Sequence, residues 1–201
     1  MKSLLSYGDS NTWGANPKDI SRFDDQTRWT GVLQCLLGES WRVLEEGLSN
    51  RTTGFDDALV PMRNGKATFP MVCDTHRPFE RLIVMLGTND AKSRFRHQPD
   101  AAADAVEAIG RMGHDAGARV LLIAPPPLRT PISYVEFDEE RAVSFSRALA
   151  PLYLEVAEAN GWEFLNAGSV IGVSSLDGVH FDAEAHTRLA QAIAQVLRAA
   201  S

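Results

Sequence analysis

Short apolar runs alternate with longer amphipathic segments along this chain, and that alternation most narrows what it can fold into. Ser3–Tyr7, Trp41–Glu46 (WRVLEE), Arg81–Leu86 (RLIVML), Arg119–Ala124 (RVLLIA) and Trp162–Asn166 (WEFLN) read as five strands. Between the first two, Trp29, Val32, Leu33 and Leu36 recur at helical spacing, and Gly38 ends that helix. Asp100–Ala116 carries Ala, Val, Ile and Met on one side and stops at Gly117, and Glu139–Ala159 is a long helical segment. Asp182 can cap a last helix running to about Ala199. Strands separated by helices imply a parallel sheet covered on both faces. The runs RLIVML and RVLLIA fit such a sheet, because strands buried on both faces are continuously apolar rather than alternating. The expectation is one three-layer α/β/α domain spanning residues 1–201, with the flavodoxin-like strand order 2-1-3-4-5. Gly54–Arg77 and Pro125–Asp138 fit no regular element, and loops of that length serve as lids, interfaces or binding walls.

Bulk properties exclude several functions. A chain of 201 residues can bury a core without disulfides or structural metal. Its net charge of -6, with no Lys/Arg run, argues against a nucleic-acid surface. Cys35 and Cys73 have no metal or redox spacing and read as two reduced thiols in or near the core. No run approaches the roughly 18 apolar residues of a membrane span. Gly8 interrupts the first apolar run too early for a signal peptide, so a soluble cytoplasmic protein is expected. Neither GxGxxG nor GxxxxGK[ST] occurs, which removes the common phosphate-binding loops.

In an open parallel sheet, ligands bind outside the carboxyl ends of the strands. Four polar, glycine-bearing loops leave those ends: Gly8-Asp9-Ser10-Asn11, Gly47-Leu48-Ser49-Asn50-Arg51-Thr52-Thr53, Gly87-Thr88-Asn89-Asp90 and Asp177-Gly178-Val179-His180. Together they hold what acyl transfer needs. A serine hydroxyl is a weak nucleophile until a base takes its proton, and histidine is the usual base. A carboxylate fixes the imidazole tautomer and stabilises its charged form. Asp177 and His180, three residues apart, can be near neighbours; Asp182 is the alternative carboxylate. An Asn side chain and turn N–H groups can stabilise an oxyanion. Asp9 is expected to bond backbone N–H groups of its own turn, Asp90 to be a structural partner, and Asn89 to be an oxyanion donor or a helix cap. His186 reads as a surface or packing residue, while His76, His97 and His114 belong to no block. Trp13 is expected to line the substrate pocket, with Phe95 in the same role or in the core. Lys92, Arg94, Arg96 and His97 read as solvated loop charges, or otherwise as a gate or subunit contact.

The blocks Gly8-Asp9-Ser10, Gly87-Thr88-Asn89-Asp90 and Asp177-x-x-His180, in this order, resemble the SGNH (GDSL-type) hydrolase family over essentially the whole chain. Gly8-Asp9-Ser10-Asn11-Thr12-Trp13-Gly14, Glu45-Glu46-Gly47-Leu48-Ser49 and Met85-Leu86-Gly87-Thr88-Asn89-Asp90 resemble its bacterial arylesterase/acyltransferase branch. The resemblance implies Ser10 as nucleophile, His180 as base and Asp177 as its orienting carboxylate. It implies an oxyanion hole made by the Ser10 backbone N–H, a backbone N–H after the second strand, and the Asn89 side chain. The family usually has glycine at the second position. Aligning through Ser49 and Thr52-Thr53 puts Asn50 there, and Asn tolerates left-handed geometry. Gly47 is the alternative, and otherwise serves the turn leaving the second strand. The implied activity is that of a serine esterase hydrolysing short-chain aryl or alkyl esters through an acyl-enzyme, with transfer to an alcohol as an extension. No metal or organic cofactor is implied, and a homo-oligomer is. Carbohydrate acetylesterase, thioesterase and lysophospholipase activities would use the same residues. A noncatalytic binding protein on the same scaffold is the reading of another class.

Overall fold

The computed structural model describes residues 1–199. Its elements run β1 (Lys2–Gly8), α1 (Ser10–Trp13), α2 (Trp29–Leu37), β2 (Trp41–Gly47), α3 (Gly65–His76), β3 (Arg81–Met85), α4 (Pro99–Asp115), β4 (Arg119–Ala124), α5 (Glu139–Asn160), β5 (Glu163–Asn166) and α6 (Ala183–Ala199). The five strands form one parallel sheet in the order β2-β1-β3-β4-β5, as the sequence predicts.

Period-two alternation along the strands sorts their side chains onto two faces. Leu5 and Tyr7 of β1, Leu82 and Val84 of β3, and Val120 and Leu122 of β4 pack with Phe69, Val106, Ile109, Phe145 and Leu149, so α3, α4 and α5 cover one face. Leu4, Ile83, Met85, Leu121 and Ile123 pack with Trp29, Leu33, Leu189 and Ile193, so α2 and α6 cover the other. β3 sits in the middle and is buried at all its positions. Asp182 caps α6 as expected, its Oδ1 accepting the Ala185 N–H at 2.9 Å.

The register decides where chemistry can sit. Gly8 at the end of β1 pairs with Gly47 of β2 and with Met85 of β3. The loops after these three strands therefore leave the sheet at one level.

Two expectations are corrected. The segment Gly54–Arg77 is not loop throughout, because it contains α3. That helix starts with Gly65, contains Pro70 and buries only a narrow stripe of Phe69, Val72 and Cys73. Such a stripe is a faint periodic signal. Its first turn is held by Asn64, whose Oδ1 accepts the Ala67 N–H at 3.0 Å. Of the two cysteines, both unpaired, Cys73 is buried but Cys35 is exposed, because it lies on the outer side of α2 away from Leu33. No helix among the described residues is long and apolar enough to cross a membrane.

Candidate active site

The site begins where β1 stops. A Cβ on Gly8 would meet the Thr12 hydroxyl at 2.0 Å, so only glycine lets α1 fold so tightly against the strand. Asp9 caps that single turn, its Oδ1 accepting the Asn11 N–H at 2.9 Å, as its position in the sequence suggests. Ser10 is the first residue of α1, and its hydroxyl donates to His180 Nε2 at 3.0 Å.

His180 reaches Ser10 from the loop after β5. Its Nδ1–H donates to Asp177 Oδ2 at 2.6 Å. Asp177 Oδ1 meanwhile accepts the backbone N–H groups of Val179 and His180, both at 2.9 Å. The turn depends on Gly178 at φ 76°, where a Cβ would lie 2.2 Å from the Arg129 carbonyl. Burial pushes the Asp177 carboxyl up. The hydrogen bonds from the His180 ring and the two backbone N–H groups outweigh burial and hold the carboxyl below its ordinary range. Asp182, the alternative carboxylate, is occupied with the α6 cap.

The loop after β2 places Asn50 and Gly47, the two alternatives for the second donor, in different surroundings. Arg51 N–H bonds the Leu48 carbonyl at 3.0 Å, closing a four-residue turn. Asn50, its third residue, has φ 67°, whereas Ser49 has no positive φ. That is type II geometry, which selects Gly or Asn at this place. Asn50 lines the cavity over Ser10. Gly47 instead lies under α1, where a Cβ would sit 2.2 Å from the Trp13 backbone nitrogen. Asn89, from the loop after β3, also lines the cavity. One of its two amide N–H groups donates to the Arg51 carbonyl at 3.1 Å, which ties the second and third loops together and leaves the other N–H unspent. Asp90 is a structural partner, accepting the Thr53 N–H at 3.0 Å and the Thr53 hydroxyl. Burial pushes its carboxyl up to about 6 against those bonds.

These residues open on a cavity of about 290 Å³. Ile20, Val60, Phe137 and Val179 give it apolar wall; Lys92, Tyr134 and Glu136 give it polar wall. Ile20 lies at φ 60°, a conformation that is rare for a β-branched residue. Tyr134 carries no sequence signal, yet its hydroxyl lies 3.2 Å from Asp177 Oδ2 and 3.3 Å from His180 Nδ1.

The structure meets some of the remaining sequence expectations and departs from others. Trp13 is outside the cavity lining. Arg22 holds it elsewhere, stacking at 5.5 Å on the ring and donating to the Trp13 carbonyl at 2.8 Å. Phe95 is buried beside Phe55, with ring centroids 6.2 Å apart. The basic cluster divides. Arg96 and His97 are exposed, but Lys92 is only 3% exposed and Arg94 pairs with Asp57 and Glu136. His186 is a packing residue of α6, its Nδ1 accepting the Trp29 N–H at 3.2 Å. His76 pairs with Glu46 at 2.7 Å. No group of three or more His, Cys, Asp or Glu side chains among the described residues is placed to hold a metal ion.

Comparison with known proteins agrees with this geometry. The sequence profile of the GDSL-like Lipase/Acylhydrolase family matches residues 6–188. The native aryl esterase of M. smegmatis is 36% identical, with 99% of each chain covered and a TM-score of 0.92. Est24, a carbohydrate acetylesterase from Sinorhizobium meliloti, is 36% identical over 100% of each chain, with a TM-score of 0.92. A member of the lipolytic protein G-D-S-L family from Veillonella parvula shares the fold at 11% identity, with 98% of this chain and 99% of that one covered and a TM-score of 0.75. No curated protein sequence matched.

Proposed function

Because the chain belongs to the GDSL-like lipase/acylhydrolase family, we propose that it is a serine esterase hydrolysing small carboxylic esters through an acyl-enzyme. The observation that carries this reading is the unbroken relay from Ser10 Oγ through His180 to Asp177, open to a cavity.

In this mechanism His180 Nε2 takes the Ser10 proton as Oγ bonds to the ester carbonyl carbon. The carbonyl oxygen becomes an oxyanion, stabilised by the backbone N–H groups of Ser10 and Asn50 and by the free amide N–H of Asn89. The C–O bond to the alcohol breaks as the intermediate collapses, and His180 returns the proton to the departing oxygen. Water, deprotonated by the same nitrogen, then attacks the acyl-enzyme, releasing the acid and restoring Ser10. An alcohol in place of that water gives acyl transfer by the same steps. Asp177 supports each passage through imidazolium while remaining ionised.

A cavity of about 290 Å³ lies at the small end of ligand sites, which favours short acyl groups on compact alcohols. Aryl esters are the first candidates, given the likeness to the M. smegmatis aryl esterase. The charged Lys92 and Glu136 in the wall, with the likeness to Est24, favour acetylated sugars as a second reading. Relative kcat/KM on p-nitrophenyl acetate and on acetylated monosaccharides separates the two. Self-association belongs to the same proposal, supported by exposed Leu59, Met62 and Val135 beside the cavity walls. A monomer in sedimentation velocity would remove it.

The decisive experiment is Ser10→Ala. Hydrolysis of p-nitrophenyl acetate is expected to fall to background while the circular dichroism spectrum is unchanged. Turnover retained in that variant sinks the nucleophile assignment, and an inactive wild type leaves a noncatalytic binding protein.

A further inference from the structure

Lys92 is a buried ammonium that the relay above does not use. A cation this far from water persists only with partners. Its Nζ donates to Glu136 Oε1 at 3.2 Å and, at 2.6 Å, to the side-chain carbonyl of Asn50. Glu136 is held in turn by Arg94 at 3.1 Å, and Arg94 by Asp57 at 2.6 Å. One end of this chain of charges is thus anchored in the loops around the cavity. The other ends on the residue at the third place of the type II turn.

Either glycine or asparagine satisfies that turn, but only asparagine offers a carbonyl to be held. We propose that Lys92 is a positioning residue of the oxyanion hole: its ammonium, braced by Glu136, grips the Asn50 side chain and fixes the Leu48–Arg51 turn with the Asn50 N–H toward the cavity. This rests on the reading of Asn50 as an oxyanion donor. A donor set before the reaction begins needs no rearrangement as charge develops, so the grip acts on kcat rather than on substrate capture. It also accounts for Asn at this position and for a lysine sunk in a cavity wall.

The test is a double-mutant cycle on p-nitrophenyl acetate, with Ser10→Ala alongside as background. Lys92→Met removes the charge at similar volume. Glu136 keeps Arg94 as its partner in that variant, so the loop retains an anchor. Asn50→Gly keeps the turn and the backbone N–H but removes the handle. Complete loss of an oxyanion donor costs about 10²–10³ in rate. Loosening one is expected to lower kcat about tenfold in each single variant, with KM within about twofold. The double variant is expected to be no slower than the slower single, because both remove one interaction. Losses that multiply, a loss confined to KM, or wild-type kcat in Lys92→Met would overturn the proposal. Should Lys92→Met fail to fold, Asn50→Gly decides alone: a tenfold loss supports the grip and a wild-type kcat refutes it. Absence of any Ser10-dependent turnover removes the active-site reading and this inference together.

Discussion

The Tyr134 hydroxyl lies 3.2 Å from Asp177 Oδ2, the oxygen that also receives the His180 Nδ1–H. Burial, and then the charge of Asp177, push the tyrosine well above its ordinary value, so it is a neutral donor at physiological pH. It draws off part of the carboxylate charge that supports imidazolium. Tyr134→Phe is expected to move the acid limb of the kcat/KM–pH profile to higher pH. A limb that moves to lower pH would contradict this role.

Gly47 is predicted to be as restrictive as Gly8, although it lies outside the cavity. A Cβ there meets backbone atoms, with Trp13 N at 2.2 Å and Trp13 Cα at 2.5 Å, so no rotamer change relieves the clash. Gly47→Ala must therefore displace α1 and Ser10 with it. Overpacking of this kind costs about 1–3 kcal/mol or more. A lower Tm with at least about a tenfold loss of kcat is the expected result. Wild-type values for both would show that the contact is slack.

His186 predicts one component of acid sensitivity. Burial lowers its imidazole from 6.5 to about 4. The unfolded chain therefore takes up a proton near pH 6.5 that the folded protein refuses until about pH 4. The stabilisation is whole above pH 6.5 and is lost as pH falls through that window, by at most a few kcal/mol. His186→Gln keeps an acceptor for the Trp29 N–H but does not titrate. Its Tm is expected to fall less steeply than that of the wild type between pH 6.5 and 4, and parallel slopes would refute the assignment.

The sheet and the four polar loops were legible for one reason: a parallel sheet delivers all its carboxyl ends to one edge. Gly8, Gly47 and Met85 stand level, and Ser10, Asn50 and Asn89 follow from them by short turns. The cavity wall was not legible. Tyr134 and Glu136 lie in a loop without periodicity, positioned by contacts such as the Ser133 N–H to the Asp177 carbonyl at 3.0 Å. Lys92 and Arg94 look solvated in sequence because their partners Asn50, Glu136 and Asp57 are 37–44 residues away. α3 leaves little trace in the sequence because Gly65 and Pro70 oppose helix propensity, and packing of Phe69 and Val72 overrides it. The place of Trp13 is hidden in the sequence, because adjacency to Ser10 in the chain says nothing about Arg22, which folds back to claim it.

The hydrogen bond between Ser10 and His180 spans 170 positions. During synthesis Ser10, Asn50 and Asn89 exist long before His180 does. At about 5–20 residues per second that interval is on the order of ten seconds. On the proposed mechanism a nascent or prematurely ended chain carries an inert serine, and ester cleavage would begin only when the last loop docks on the first strand. Activity in a cell extract would then count finished, closed molecules rather than total polypeptide.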